Sequence, residues 1–156
     1  VGAIMEGLSK ITLLDSEVCF IAGLLHDIDF EYTKDEPEKH GFIAMDILKD
    51  ADITAEMKNA ILSHTGNHQI MTDLDKCLWA SDPLSGLVIA SALMNPEKKI
   101  RALSLKSLLK KFKTKSFAAG ADREQIRSCE NFGIALNDFL QIAIESMSKY
   151  DTELGL

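Results

Sequence analysis

The chain has 156 residues, 46% of them hydrophobic and 26% charged, with a formal net charge of −7. That length suits a single domain over residues 1–156 with one substantial core, and the acidic balance argues against general nucleic-acid binding. No apolar run approaches the roughly 18–20 residues that cross a bilayer, and the start, Val1-Gly2-Ala3-Ile4-Met5-Glu6, lacks the basic, then apolar pattern of a secretory signal; a cytoplasmic location with no membrane partner is expected.

With only 3 Pro and 9 Gly the composition tilts toward helix. Residues 1–8 are apolar-periodic with no capping residue ahead of them, so they read as the back end of a helix begun upstream, truncated here. Asp15 or Ser16 caps a second helix, with Val18, Ile21, Ala22, Leu25 and Ile28 at helical spacing. Pro37 suits the first turn of a third, whose apolar side carries Ile43, Ile47 and Leu48. Thr54 caps a fourth that runs through Met57, Ile61 and Leu62 to His64, where Thr65-Gly66 stops it. A fifth covers residues 73–82, and Pro83 kinks or restarts it before residues 84–94. After Asn95-Pro96 comes a short piece to Arg101, then a helix capped by Ser104. Asp122-x-x-Gln125 forms a capping box, and Asn137 caps the last helix, with Phe139, Ile142, Ala143 and Met147 inward. No strand is expected. The pattern predicts an all-α, compact bundle of about eight helices, with Trp79, Phe112 and Phe117 in its core. Cys19, Cys77 and Cys129 are odd in number and far apart, which reads as buried free thiols rather than a disulfide framework or zinc knuckle.

All four histidines fall between His26 and His68. Adjacent helical residues point about 100° apart, so His26 and Asp27 can reach one point only near a helix edge or end. Ala22 and Gly23 ahead of them would let another helix approach closely. An ionised Asp buried beside a His is costly unless something neutralises it, and a metal ion would do so. His40 begins the third helix, His64 ends the fourth and Asp82 precedes Pro83, so each ligand candidate comes from a different helix. Imidazole nitrogen with carboxylate oxygen suits Mn, Fe, Zn, Ni or Co rather than the all-oxygen shell of Ca or Mg. The plainer readings are a hydrogen-bonded core histidine at His26, helix-end roles for His40 and His64, and a turn residue at Asp82. His68 and Glu31 read as solvated. Asp29 reads as a solvated loop acid too, or else as a residue that orients a ligand.

Leu24-Leu25-His26-Asp27, then Glu38-Lys39-His40-Gly41, then Ser63-His64-Thr65-Gly66, then Ala80-Ser81-Asp82, in that order, resemble the HD superfamily of metal-dependent phosphohydrolases. The resemblance spans Val1 to about Met94, and the tail is similar to that of small stand-alone HD hydrolases. It implies the HD-domain helical bundle and one or two divalent transition-metal ions. His26, Asp27 and Asp82 would hold one ion and His40 and His64 the other, with Asp27 bridging them as the catalytic carboxylate. The family's first histidine is missing and would fall about four residues, one helical turn, before Val1. Phe30 stands where some branches carry the Lys of His-Asp-x-Gly-Lys, and no Gly-Tyr-Pro motif of cyclic-dinucleotide phosphodiesterases occurs.

The chemistry implied is hydrolysis of a small phosphorylated metabolite, of the nucleotide type, by metal-activated hydroxide. Residues 98–121 hold eight basic residues and no acid. Lys110, Lys111, Lys113 and Lys115, helped by Arg123, are the candidates to receive substrate phosphate if that stretch folds over the site; the plain alternative is a solvated helix face. An HD-type di-iron oxygenase and a non-catalytic metal- or ligand-binding module are the other readings. The oligomeric state is not legible in the sequence.

Overall fold

Apolar positions recur at helical spacing from end to end, and the structure, a computed structural model describing residues 1–156, is helical throughout. Nine α-helices follow in order, joined by turns that include four short 3-10 segments, with no strand. They are α1 (Gly2–Thr12), α2 (Ser16–Leu25), α3 (Phe30–Thr33), α4 (Phe42–Ile47), α5 (Ala55–Ser63), α6 (Asp73–Leu93), α7 (Leu105–Lys113), α8 (Arg123–Arg127) and α9 (Leu136–Met147). The all-α expectation holds. The helix that the pattern missed is α3, whose four residues are too few to show a period.

The bundle is organised around α6, which packs against α1, α2, α5, α7, α8 and α9. Its start is a reciprocal cap: Thr72 Oγ1 accepts from Asp75 N–H, and the Asp75 carboxylate accepts from Thr72 N–H. Pro83 does not break it. The helix runs unbroken from Asp73 to Leu93, which corrects the expectation of a restart. Pro83 has no N–H for the carbonyl one turn back, that of Trp79. Gln125 Nε2 of α8 donates to that carbonyl instead, at 2.9 Å.

Helix α1 presents Ile4, Met5 and Leu8 to the core, all fully buried. Burial of such a side chain stabilises by about 1.5–3 kcal/mol. Its contact with α2 depends on two glycines. A Cβ at Gly23 would lie 2.8 Å from both the Cα and N of Gly2, so only hydrogen fits at that crossing. The close approach expected at Ala22-Gly23 is therefore made by α1. On the other side Gly7 faces Ser146 of α9 with similarly little room. A small second cluster of Ala44, Leu48 and Ile61 fastens α4 to α5.

Most of the expected caps form. Asp15, Thr54, Ser104 and Asp122 each accept backbone N–H bonds at a helix start. Two local expectations are corrected. Pro37 opens only a 3-10 turn, Pro37–Lys39, and His40 follows it in an extended conformation (φ −59, ψ 134) rather than starting a helix. Asn137 is not a cap: Leu136 is mostly buried, the helix starts there, and Ala135 takes the cap position. Trp79 is only partly buried, Phe112 is buried, and Phe117 packs on the core. The three cysteines are free and buried, as expected.

Candidate metal centre

Two of the histidines end the buried stripes of their helices. In α2 the buried residues Cys19, Ala22 and Gly23 are continued one turn later by His26. In α5 the stripe Met57, Ala60, Ile61 is continued in the same way by His64. The i, i+3, i+4, i+7 spacing carries both imidazoles inward, and they are 7% and 5% exposed. Asp82 lies one turn beyond fully buried Leu78 on α6, beside Pro83. His40 arrives differently. Gly41, with φ +84, turns the chain sharply between His40 and α4, and a Cβ there would lie 2.9 Å from Thr65 Cγ2.

These five side chains meet. His26 Nε2 is 3.3 Å from Asp27 Oδ2 and 3.5 Å from Asp82 Oδ1. His40 Nε2 and His64 Nε2 are 3.2 Å and 3.3 Å from Asp27 Oδ1, and 3.2 Å from each other. The two oxygens of Asp27 thus face different partners, Oδ2 toward His26 and Oδ1 toward His40 and His64.

The opposite edge of each ring is already committed. His26 Nδ1 faces Gly23 O at 2.9 Å, His64 Nδ1 faces Ile61 O at 2.5 Å, and His40 Nδ1 faces Asp29 Oδ1 at 2.9 Å. A carbonyl or carboxylate only accepts, so in each neutral ring Nδ1 carries the proton and Nε2 presents a lone pair. Three lone pairs then converge on two carboxylates, and no protein donor lies among them. His26 Nε2 is buried with no hydrogen-bond partner. Such a set needs positive charge, and its nitrogen and oxygen donors fit a divalent transition metal. His26, Asp27 and His64 bring one ligand atom each within 4.8 Å of one another, and His40, Asp27 and His64 do so as well.

Without an ion, a proton does part of this work. Burial alone would lower the His26 pKa, but the Asp27 and Asp82 carboxylates, 3.3 and 3.5 Å from Nε2, outweigh it and raise the value to about 9. Burial would likewise raise that of Asp27, and His26 and His64 overcome this to hold it well below the usual carboxylate range.

Of the two readings of Asp29, the orienting one fits and the solvated one is corrected. The residue is fully buried, not a solvated loop acid. Oδ1 faces His40 Nδ1, while Oδ2 accepts from Gly41 N–H at 2.8 Å and Ala44 N–H at 3.0 Å. One carboxylate therefore fixes the tautomer of His40 and anchors the turn that delivers it. A sign was available in Gly41 directly after His40, which marks a backbone turn whose N–H needs an acceptor. His68 and Glu31 are exposed, as expected.

Comparison with protein-family models gives one match, to the HD domain, over residues 1–108. The chain belongs to the HD domain family. No curated protein and no solved structure matches it. The matched span contains every one of the five converging residues, and the HD domain is of the metal-dependent phosphohydrolase type. No helix of this HD domain is long and apolar enough to cross a membrane.

The basic residues are placed elsewhere in the HD domain. Lys110 and Lys113 line a surface groove of about 720 Å³ with Leu105, Lys106 and Leu109, with no residue of the centre in its wall. Lys111 donates to Ser91 O and Ser107 Oγ and sits over the Phe117 ring. Lys115 lines a separate hollow next to Arg123. The Arg123 guanidinium donates to the carbonyls of Phe112, Phe117, Ala118 and Ala121, so it clamps the α7–α8 connection instead of facing a phosphate. That connection does reach the centre: a cleft of about 390 Å³ at Asp82 is walled by Pro83, Ala118, Gly120 and Gln125 among others, none of them cationic.

Proposed function

We propose that this HD domain is a metal-dependent phosphohydrolase that cleaves a phosphate ester or anhydride of a small metabolite, of the nucleotide class. One observation carries the reading: three Nε2 lone pairs converge on the carboxylates of Asp27 and Asp82, with every Nδ1 already engaged. His26, Asp27 and Asp82 would hold one divalent ion and His40 and His64 a second, Asp27 offering one oxygen to each. The donor set suits Fe, Mn, Ni, Co or Zn. Such ions, when bound, acidify water and neutralise phosphate oxygens.

The protein's own residues divide the remaining work. His26 and His64 form a dry floor, since their side chains are 9% and 3% exposed. Asp27 and Asp82, at 45% and 36%, face the solvent from which a substrate arrives. The Asp27 carboxyl stays ionised at neutral pH and can accept a hydrogen bond from attacking water. Asp29 keeps the proton of His40 on Nδ1, so Nε2 remains a donor of electrons throughout.

The test is phosphate release from a panel of nucleotides and small phosphate esters by the chain supplied with Mn²⁺, Fe²⁺ or Co²⁺. Turnover should appear and be lost in Asp27→Ala. Metal-loaded protein that releases no phosphate, or that consumes oxygen when iron-loaded, would refute the proposal.

A further inference from the structure

The structure assigns Phe30 as a subsite for a flat apolar ring carried by the substrate next to its phosphate; this rests on the phosphohydrolase reading above. The Phe30 ring meets the His40 ring edge-on, with centroids 6.3 Å apart and planes at 78°. His40 is the imidazole whose Nε2 faces Asp27 Oδ1 at 3.2 Å. A group attached through a few bonds to a phosphate at Asp27 comes within reach of this ring.

A lone exposed hydrophobic residue is ordinary and by itself says nothing. Phe30 differs in two respects. The residue is 51% exposed although its ring packs edge-on to an imidazole of the centre, so a large aromatic beside the site is left half open to solvent. Its backbone is also held firmly. Asp29, the preceding residue, is fully buried and accepts from Gly41 and Ala44 N–H, and Thr33 Oγ1 donates back to Asp29 O at 3.0 Å. The ring is therefore presented from an anchored turn, which lowers the entropy lost when something stacks on it. Phe42, two residues past His40, is 53% exposed and Tyr32 is 70% exposed, so Phe30 is not the only aromatic in this part of the chain left open to solvent.

Charge points the same way. The cleft at Asp82 has no cationic wall, Arg123 is spent on carbonyls, and Lys110 and Lys113 face a different groove. A substrate's phosphate is then left to the metal ions, and the other handle at the site is aromatic. The class of substrate is an aryl or heteroaryl phosphate, nucleoside phosphates included, in preference to an aliphatic one.

Phenylphosphonate and methylphosphonate share the charged group, are not hydrolysed and differ in the ring. Titrated calorimetrically into the Mn²⁺-loaded chain, phenylphosphonate should bind roughly tenfold tighter, the scale of one stacked ring. The preference should fall to within about twofold in Phe30→Ala and persist in Phe30→Tyr, with circular dichroism showing both variants folded. Equal binding of the two phosphonates by the wild type, no binding of phenylphosphonate, or an unchanged preference in Phe30→Ala would each overturn the assignment. A ring preference without phosphate release from any ester would sink the phosphohydrolase reading and leave the subsite standing. Phosphate release without a ring preference would do the reverse.

Discussion

Pro83 and Gln125 offer a sharp test of how the fold holds the centre. The Trp79 carbonyl lacks its helical partner because Pro83 has no N–H, and Gln125 Nε2 replaces it from α8 at 2.9 Å. The bond is part-buried, so Gln125→Ala should leave a poorly hydrated carbonyl and cost about 1–2 kcal/mol. For a chain of this size that lowers Tm by about 2–8 °C. Pro83→Ala supplies the missing N–H and favours the helix intrinsically by up to about 3 kcal/mol. In that background Gln125→Ala should cost less than about 0.5 kcal/mol, giving a coupling of about 1 kcal/mol between the two positions. Urea unfolding of the four proteins, followed by circular dichroism, measures it. A Co²⁺ titration of the same set should show weaker binding in Pro83→Ala, because Asp82 immediately precedes the proline and its backbone conformation is restricted by the ring. If the two substitutions add within the ~0.3–0.5 kcal/mol typical of independent sites, Gln125 is not the substitute donor and the reasoning is wrong.

Asp29→Asn should weaken metal binding by roughly 10–100-fold, because one amide cannot accept from both His40 Nδ1 and the N–H groups of Gly41 and Ala44; a metal titration compared with Asp29→Glu checks it. Gly23→Ala should destabilise by about 1–3 kcal/mol, since the added Cβ would press on the backbone of Gly2 at 2.8 Å; thermal melts showing no loss would exclude that packing. In the metal-free protein the His26 pKa is raised to about 9, so its contribution to stability is full below the unfolded value near 6.5 and disappears as pH rises through about 9. The loss is on the order of 1–3 kcal/mol after allowing for the half-exposed Asp27, and denaturant melts in EDTA at pH 6 and pH 9.5 should differ in that direction.

Much of this was legible in the sequence because it follows from period and chemistry together. His64 falls at i+7 from Met57, so the spacing that predicts that helix also predicts that its imidazole is buried. His26, by contrast, lies on the Cys19, Ala22 and Gly23 face, beside the Val18, Ile21 and Leu25 stripe expected to be inward, and Ile28 is exposed. Asp15, Thr54, Ser104 and Asp122 could be read as caps since capping is local. The features that escaped are set by tertiary partners. Asp29 looks like a surface acid until the turn at Gly41, twelve residues on, folds back against it. Pro83 signals a break until Gln125 arrives from α8. The Lys-rich segment reads as either a phosphate cradle or a solvated helix face, because its charge is visible and its direction is not. In the structure its apolar residues Leu108 and Phe112 face the core, which turns Lys106, Lys110 and Lys113 outward with the α7 groove.

The same features separate the buried floor of the centre from its open mouth. The floor is built from helix ends whose Nδ1 atoms bond to their own last turn, Gly23 O for His26 and Ile61 O for His64. These rings are oriented by local backbone that exists as soon as α2 and α5 form. His40 has no such local acceptor and depends on Asp29, which in turn depends on the Gly41 turn and on α4. Disturbing α4 or Gly41 should therefore impair the His40 and His64 side of the centre first and leave His26, Asp27 and Asp82 assembled. Asp27 spans the two halves with one oxygen each, so its loss alone removes both. A Gly41→Ala chain, strained at φ +84 and crowding Thr65, should lose one class of bound cation before the other. Loss of both together in a stoichiometric titration would show that the two halves are not separable in this way.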